Sequence, residues 1–246
     1  MADALISPAV GGVMLAATAG TAVYSVKKIQ NEMDNKKIPL MGVVGAFVFA
    51  AQMINFTIPG TGSSGHIGGG MLLSILLGPQ AGFLTMASVL LIQALFFADG
   101  GLLAFGCNVF NLGFYTSFIA FPLIYKKLVN KDSKPGRIIA ACVLSTVVGL
   151  QLGSLSVVFE TLLSGKTELP FTAFLILMQP VHLAIGLVEG FITAAVVLFV
   201  WKARPEILSV NIHNEKSMSF KSVIIILAVV TVVIGGGLAY FASSYP

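Results

Sequence analysis

The amino-acid sequence predicts an all-α, polytopic integral membrane protein, a bundle of apolar helices. Of its 246 residues, 57% are hydrophobic and only 10% are charged, whereas roughly 25% of the residues in an average soluble domain are charged. Several uncharged stretches are also about 20 residues long, which is the length that a helix needs to cross the hydrocarbon core of a bilayer. A soluble protein of this length could not bury so much apolar surface.

The basic residues are confined to three short loops between apolar stretches, so the net charge of +4 does not indicate nucleic-acid binding. By the positive-inside rule all three loops face the cytoplasm. The N-terminus and the loop that contains His66 are then predicted to lie outside. The residues of the three loops are Lys27, Lys28, Lys36 and Lys37; Lys126, Lys127, Lys131, Lys134 and Arg137; and Lys202, Arg204, Lys216 and Lys221.

The spans follow from the apolar stretches and from the sidedness of the loops. Between His66 and the second basic loop the chain needs an odd number of crossings, and we predict three, the first a short one near residues 67–77. Gly78 and Pro79 are expected to interrupt the helices there, and Asp99 to lie in an outer turn. This gives eight crossings with both termini outside. The seven longer candidates are residues 8–26, 38–58, 79–98, 102–125, 138–163, 170–201 and 222–243.

An uncharged, glycine-rich run, GTGSSGHIGGG at residues 60–70, carries a single imidazole on His66. Glycine allows the backbone to turn tightly and to approach a small ligand, and imidazole is a frequent metal ligand. We therefore predict that a metal or a small polar substrate binds at this loop. Asp99, Asn108 and Gln93 are candidates to orient the imidazole, although such polar groups could equally satisfy helix ends.

Two ionisable residues, His182 and Glu189, lie within one apolar stretch, on the same helical face but about 10 Å apart. Ionisable groups at membrane depth are costly and mark functional sites, yet buried hydrogen bonds between helices would also explain them. Both interpretations stay open. If Glu189 faced a pathway, the protein would be a cation channel or a secondary transporter. An intramembrane enzyme is disfavoured, because no nucleophile lies near these residues.

The sequence shows no chemistry for a nucleotide, a zinc cluster or a disulfide framework. Residues 164–167, SGKT, look like the end of a P-loop, but Glu160 stands where that motif requires glycine. Cys107 and Cys142 lie in separate apolar stretches without C-x-x-C spacing. We therefore expect no ATPase within this chain, and uphill transport would need a partner that hydrolyses ATP.

Three segments in order carry a family resemblance: HIGGGMLLSILLGPQAGF from His66, LIQALFFADGGLLAFGCNVFNLG from Leu91, and HLAIGLVEG from His182. Together they resemble the CbiM/NikM family, the nickel/cobalt substrate-binding membrane subunits of energy-coupling-factor transporters. Residues 222–241 resemble the small NikN-like accessory subunit that is fused to some nickel members. That extension usually goes on into a Pro-Asp-Gly motif, so we expect the native chain to continue beyond Pro246.

The resemblance implies a seven-helix core over residues 1–202, followed at 203–246 by a cytoplasmic linker and one accessory helix. It implies uptake of Ni²⁺ or Co²⁺ across the cytoplasmic membrane of a prokaryote, without a cofactor of the chain's own. The implied partners are a transmembrane coupling protein and two cytoplasmic ATPases. Ala46 and Ala50 match the family's Ala-x-x-x-Ala helix, which docks on the coupling protein.

The resemblance also implies a metal site of four nitrogens in a plane, a geometry that suits Ni²⁺. Family chains begin Met-His, and the amine, the amide nitrogen and imidazole of that His, and a His matching His66 bind the metal. This chain opens Met1-Ala2-Asp3 instead. We expect a Met-His dipeptide before Met1 in the native protein, or a His between Met1 and Ala2. As written, His66 and the Met1 amine are the remaining ligands.

Overall fold

The computed structural model describes residues 1–30 and 37–209, together with Ser222 and Ile225. Apart from those two residues, the predicted final span at 222–243 lies outside the described residues. The described elements, in chain order, are a 3-10 turn (Asp3–Leu5), α1 (Pro8–Gln30), α2 (Lys37–Gln52), β1 (Asn55–Ile58), β2 (Ser63–His66), α3 (Gly70–Leu77), α4 (Pro79–Phe96), α5 (Phe105–Val109), a π-helical segment (Phe110–Tyr125), α6 (Lys126–Leu128), α7 (Pro135–Leu163), α8 (Phe171–Ala203) and α9 (Pro205–Ser209).

The all-α membrane fold that composition predicts is confirmed. Among the described residues, five helices are long and apolar enough to cross a membrane: α1, α4, α7, α8 and the helix Phe105–Leu128, in which α5, the π-helical segment and α6 are continuous. A sixth apolar helix, α2, is shorter. The protein is therefore a multi-pass integral membrane protein. The count of eight crossings and the sidedness of the loops stay predictions.

The eight residues of α3 are all buried at the centre of the bundle. The predicted interruption at its end is observed: α3 stops at Leu77, Gly78 has a φ of +88°, and Pro79 begins α4. Proline suits the first turn of a helix because that position needs no N–H donor. At about 12 Å in length, α3 is too short to cross a bilayer by itself, so the crossing expected near residues 67–77 stays a prediction.

Helices α7 and α8 form a closely packed pair that makes one wall of the bundle. A Cβ atom on Gly190 would lie 2.6 Å from the Cα of Val143, and one on Gly186 would lie 3.1 Å from the Cα of Val147. Small residues let helix backbones approach this closely in lipid, where packing rather than hydrophobic burial drives association. The pair therefore provides a rigid support for side chains that point between the two helices.

The predicted second span at 38–58 extends too far, because α2 ends at Gln52. Residues 55–58 form β1, which pairs antiparallel with β2 so that Asn55 faces His66. Of the apolar residues after Gln52, Met53 and Ile54 are exposed, whereas Ile58 is buried with Val158 of α7 and with Phe174 and Met178 of α8. The glycine-rich run is thus half of a hairpin seated on α7 and α8.

The N-terminal segment packs onto the start of α5. Ile6 is buried together with Ala104 and Cys107. The Ala104 N–H donates to Asp3 Oδ1 at 2.8 Å. These contacts hold the first residues of the chain beside the hairpin.

Candidate metal centre

A cavity of about 50 Å³ lies where the N-terminal segment, β2, the helix Phe105–Leu128, α7 and α8 meet. It brings together the two ligands predicted from the sequence, Met1 and His66. This volume can hold a metal ion with one or two waters, because a single water requires at least about 10–15 Å³. The other lining residues are Ser63, Ser64, Asn108, Asn111, Leu112, Leu150, Gly153, Ser154, Val157, Met178 and His182.

His66 ends β2 and presents one ring nitrogen for metal binding. Its Nδ1 lies 2.9 Å from the carbonyl oxygen of Ile67. A carbonyl oxygen only accepts hydrogen bonds, so Nδ1 carries the hydrogen and the lone pair of the neutral ring is on Nε2. Burial lowers the pKa of His66, and the nearby Met1 amino group lowers it further. The ring is therefore held in the neutral form that binds metals.

The amino group of Met1 is the second nitrogen donor in the cavity. Burial lowers its pKa from the ordinary value of an α-amine, which favours the neutral, ligating form. The rest of the residue is held at two points. Asn108 Nδ2 donates to the Met1 carbonyl oxygen at 3.0 Å, and the Thr161 hydroxyl donates to the Met1 sulfur at 3.7 Å.

Glu189 fixes the backbone that follows His66. The carboxylate, whose residue is 1% exposed, accepts from the N–H groups of Gly68 at 2.6 Å and Gly69 at 2.8 Å. Gly69 has a φ of +78°, a left-handed conformation that favours glycine. Both carboxylate oxygens of Glu189 therefore accept hydrogen bonds from the backbone of the loop. This contact agrees with the interpretation of Glu189 as a structural residue.

Gln93 acts on the same loop from α4, through α2. Its Nε2 donates to Gln52 Oε1 at 2.8 Å, and Gln52 Nε2 donates to the Gly68 carbonyl oxygen at 2.6 Å. Both glutamine side chains are buried. Gln93 thus positions the loop without lining the cavity.

Of the remaining predicted residues, one lines the cavity and three do not. Asn108 lines the cavity beside Met1 and His66, whereas Asp99 does not line it and is half-buried in the turn after α4. Ala46 and Ala50 lie on the exposed face of α2, away from the cavity. Ala46 borders an apolar groove of about 440 Å³ between α2 and α4.

Three polar residues at the centre, Asn111, Glu160 and His182, were not predicted from the sequence as site residues. Asn111 Nδ2 donates to Glu160 Oε2 at 2.8 Å, and Ser156 donates to the other oxygen of that carboxylate at 3.2 Å. His182, left open above, lines the same cavity. One signal could have pointed to Glu160: it and Glu189 are the two acidic residues inside the long apolar helices.

The donor set is one of nitrogens rather than of clustered acidic or sulfur ligands. Over residues 1–30 and 37–209, no three His, Cys, Asp or Glu side chains come close enough to hold a metal ion together. Cys107 and Cys142 are buried free thiols in different helices.

The fold and the cavity define a class, polytopic membrane proteins with a small nitrogen-lined centre near the N-terminus. The model of the family CbiM, "Cobalt uptake substrate-specific transmembrane region", matches residues 1–207. The chain belongs to the CbiM family, and the resemblance found in the sequence is confirmed. The NikN-like extension stays a prediction.

Similar proteins are named for the transport of metals. A protein of Haloquadratum walsbyi named for metal transport is 33% identical over 213 residues, 87% of this chain and 94% of that protein. A NikMN protein of Archaeoglobus fulgidus, named for fused nickel transport, is 35% identical over 84% of this chain and 66% of its own length. This chain thus spans about two thirds of that fused relative. The crystal structure of a truncated transition metal transporter has a TM-score of 0.75 and 29% identity, covering 82% of this chain and 98% of that one.

Proposed function

We propose that this chain is the substrate-specific membrane subunit of an energy-coupling-factor ABC transporter for Ni²⁺, with Co²⁺ as the other candidate substrate. The observation that supports this most directly is that Met1 and His66, which carry an amine and an imidazole as nitrogen donors, line one cavity. Their lowered pKa values favour the neutral forms that bind metals. Metal binds there at the outer face, before the coupling partners act.

Nitrogen donors determine which cations the centre favours. Imidazole and amine nitrogens suit Ni²⁺ and Co²⁺, whereas Mg²⁺ and Ca²⁺ prefer carboxylate, carbonyl and water oxygens. To bind through these nitrogens, an ion must exchange waters of its hydration shell for protein ligands, a step that discriminates against tightly hydrated Mg²⁺.

Energy for uptake comes from other subunits in this proposal. A P-loop joins a strand to a helix, whereas residues 164–167 follow α7, a helix. A transmembrane coupling protein and two cytoplasmic ATPases supply the nucleotide chemistry. The exposed Ala46 and Ala50 on α2, with the groove beside Ala46, are the proposed docking face for the coupling protein.

The two parts of the chain are proposed to have the roles that the family resemblance implies. Residues 1–202 are the metal-binding core, and residues 203–246 are a cytoplasmic linker with an accessory helix. The setting is the cytoplasmic membrane of a prokaryote.

Uptake of radioactive nickel by bacterial cells tests the proposal. Cells that contain the chain with a coupling protein and two ATPases should accumulate nickel, and cells with ATPase-inactive partners should not. Accumulation at the full rate by the chain without partners would contradict the assignment and indicate a channel or a secondary transporter.

A further inference from the structure

His182 has the same ring arrangement as His66. Its Nδ1 lies 2.9 Å from the carbonyl oxygen of Met178, one turn earlier in α8. Because that oxygen can only accept, Nδ1 carries the hydrogen, and the lone pair of the neutral ring is on Nε2. Backbone carbonyls fix metal-binding histidines in this way, since a bonded Nδ1–H sets both the tautomer and the ring orientation.

His66 and His182 line the same cavity. His66 belongs to the hairpin, whereas His182 belongs to α8, and α8 is held tightly against α7. A purely structural role for His182 would need only the Nδ1 contact with its own helix. His182 nevertheless lines a cavity that His66 and Met1 also line.

Asn111 supplies an independent polar atom at the same place. Its Nδ2 donates to Glu160 Oε2 at 2.8 Å, and this bond fixes which end of the amide is the oxygen. Within the part of the chain that the structure describes, the buried Asn111 Oδ1 has no hydrogen-bond partner. The residue is 4% exposed and lines the cavity. A buried, unsatisfied amide oxygen costs free energy unless something in the cavity donates to it.

We propose that His182 Nε2 is a further ligand for the transported divalent metal, and that Asn111 Oδ1 accepts a hydrogen bond from a water on that ion. The proposal rests on the proposed function, because it concerns the same cavity. The metal is then held by both the hairpin and α8. An ion of the Ni²⁺ or Co²⁺ class fits imidazole nitrogen with water oxygen.

The test is Ni²⁺ binding by the purified chain in detergent, as written here and with Met-His added before Met1. His182→Gln is the informative variant, because an amide N–H can still donate to the Met178 carbonyl while the imidazole is gone. Gln179→Ala is the matched control. Gln179 lies on α8 three residues earlier and donates to Ser154 at 2.9 Å, but it does not line the cavity.

Two readouts separate a ligand from a structural residue. In whichever form binds, we expect His182→Gln to weaken Ni²⁺ binding by at least about tenfold, and X-ray absorption at the nickel edge to show one imidazole fewer. Gln179→Ala should keep the affinity and the number of imidazoles. Unchanged affinity in His182→Gln would overturn the proposal. Weaker binding with an unchanged number of imidazoles would also overturn it, because His182 would then act only through the fold.

Failure of the proposed function gives different results. If neither N-terminal form binds Ni²⁺, both proposals are overturned together. If His66→Ala binds like the parent while His182→Gln does not, the centre assigned to His66 is wrong, and the ligand on α8 stands.

Discussion

The protonation of His66 links the cavity to the stability of the fold. Burial lowers the pKa of His66 in the folded protein below its ordinary value of about 6.5. The unfolded chain therefore binds more protons than the folded chain as the pH falls below about 6.5. Stability should then decrease with falling pH until the folded pKa is reached, with a slope of at most about 1.4 kcal/mol per pH unit from this residue.

Thermal melting of the metal-free chain between pH 8 and pH 5 measures this effect. His66→Gln should remove its share of the acid destabilisation, so the parent should lose more stability than the variant as the pH falls. Groups that do not interact with His66 titrate alike in both proteins and cancel in the difference. A difference between the two proteins that does not depend on pH would contradict the lowered pKa.

Asn108 and Asp99, both predicted from the sequence as orienting residues, should behave differently. Asn108 holds the Met1 carbonyl at 3.0 Å, so Asn108→Ala should free the first residue and weaken Ni²⁺ binding by about tenfold. Asp99→Ala is the comparison, because Asp99 does not line the cavity and acts on the Met1 amine through its charge rather than through a hydrogen bond. Calorimetric titration of both variants measures the difference. Equal losses in the two would show that contact with Met1 is not what matters.

The identity of single residues predicted part of this metal centre, but not all of it. His66 could be predicted because it is the one imidazole in an uncharged, glycine-rich run. The contact between Asn111 and Glu160 joins residues 49 positions apart. It depends on how α7 packs against the helix Phe105–Leu128, and hydropathy does not encode that register. Local sequence therefore indicates where a ligand could be, whereas packing decides which distant residues join it.

At the scale of elements, the start of α3 depends on one carboxylate. Glu189 of α8 accepts from the N–H groups of Gly68 and Gly69. Glu189→Gln keeps one acceptor oxygen and leaves one buried N–H group unsatisfied. We expect a loss of about 1–3 kcal/mol of stability, measured by denaturation in detergent, with a smaller effect on transport.

This variant also separates the proposed function from the alternative of a cation channel or secondary transporter. Loss of transport in Glu189→Gln with unchanged stability would favour a carboxylate that faces an ion pathway. Val188→Ala is a suitable control, since Val188 precedes Glu189 on α8 but is exposed.

Helix ends were predictable where sequence chemistry is local. Gly78 and Pro79 mark the end of α3 and the start of α4 because glycine accepts a positive φ and proline suits a first helical turn. The hairpin at 55–66 was not predicted, because its apolar residues continue the pattern of α2. Ile58 becomes buried only through contacts with α7 and α8, which lie about a hundred residues later in the chain.

At the scale of the whole molecule, binding and uptake should be separable. Ala46 borders the groove between α2 and α4, so Ala46→Trp should fill it and block docking of the coupling protein. We expect nickel uptake to be lost while Ni²⁺ binding by the purified chain is unchanged. Val43→Trp is the matched control, because Val43 is 69% exposed on the same helix but does not line the groove. Full uptake by Ala46→Trp would exclude this docking face.

The most direct test of the metal centre is equilibrium Ni²⁺ binding to four proteins. These are the chain as written and the chain with Met-His added before Met1, each with and without His66→Ala. We expect tight binding in the Met-His form, weaker or no binding in the chain as written, and loss of binding with His66→Ala. Equal binding by all four proteins would contradict it, because the metal would then bind away from His66 and the N-terminus.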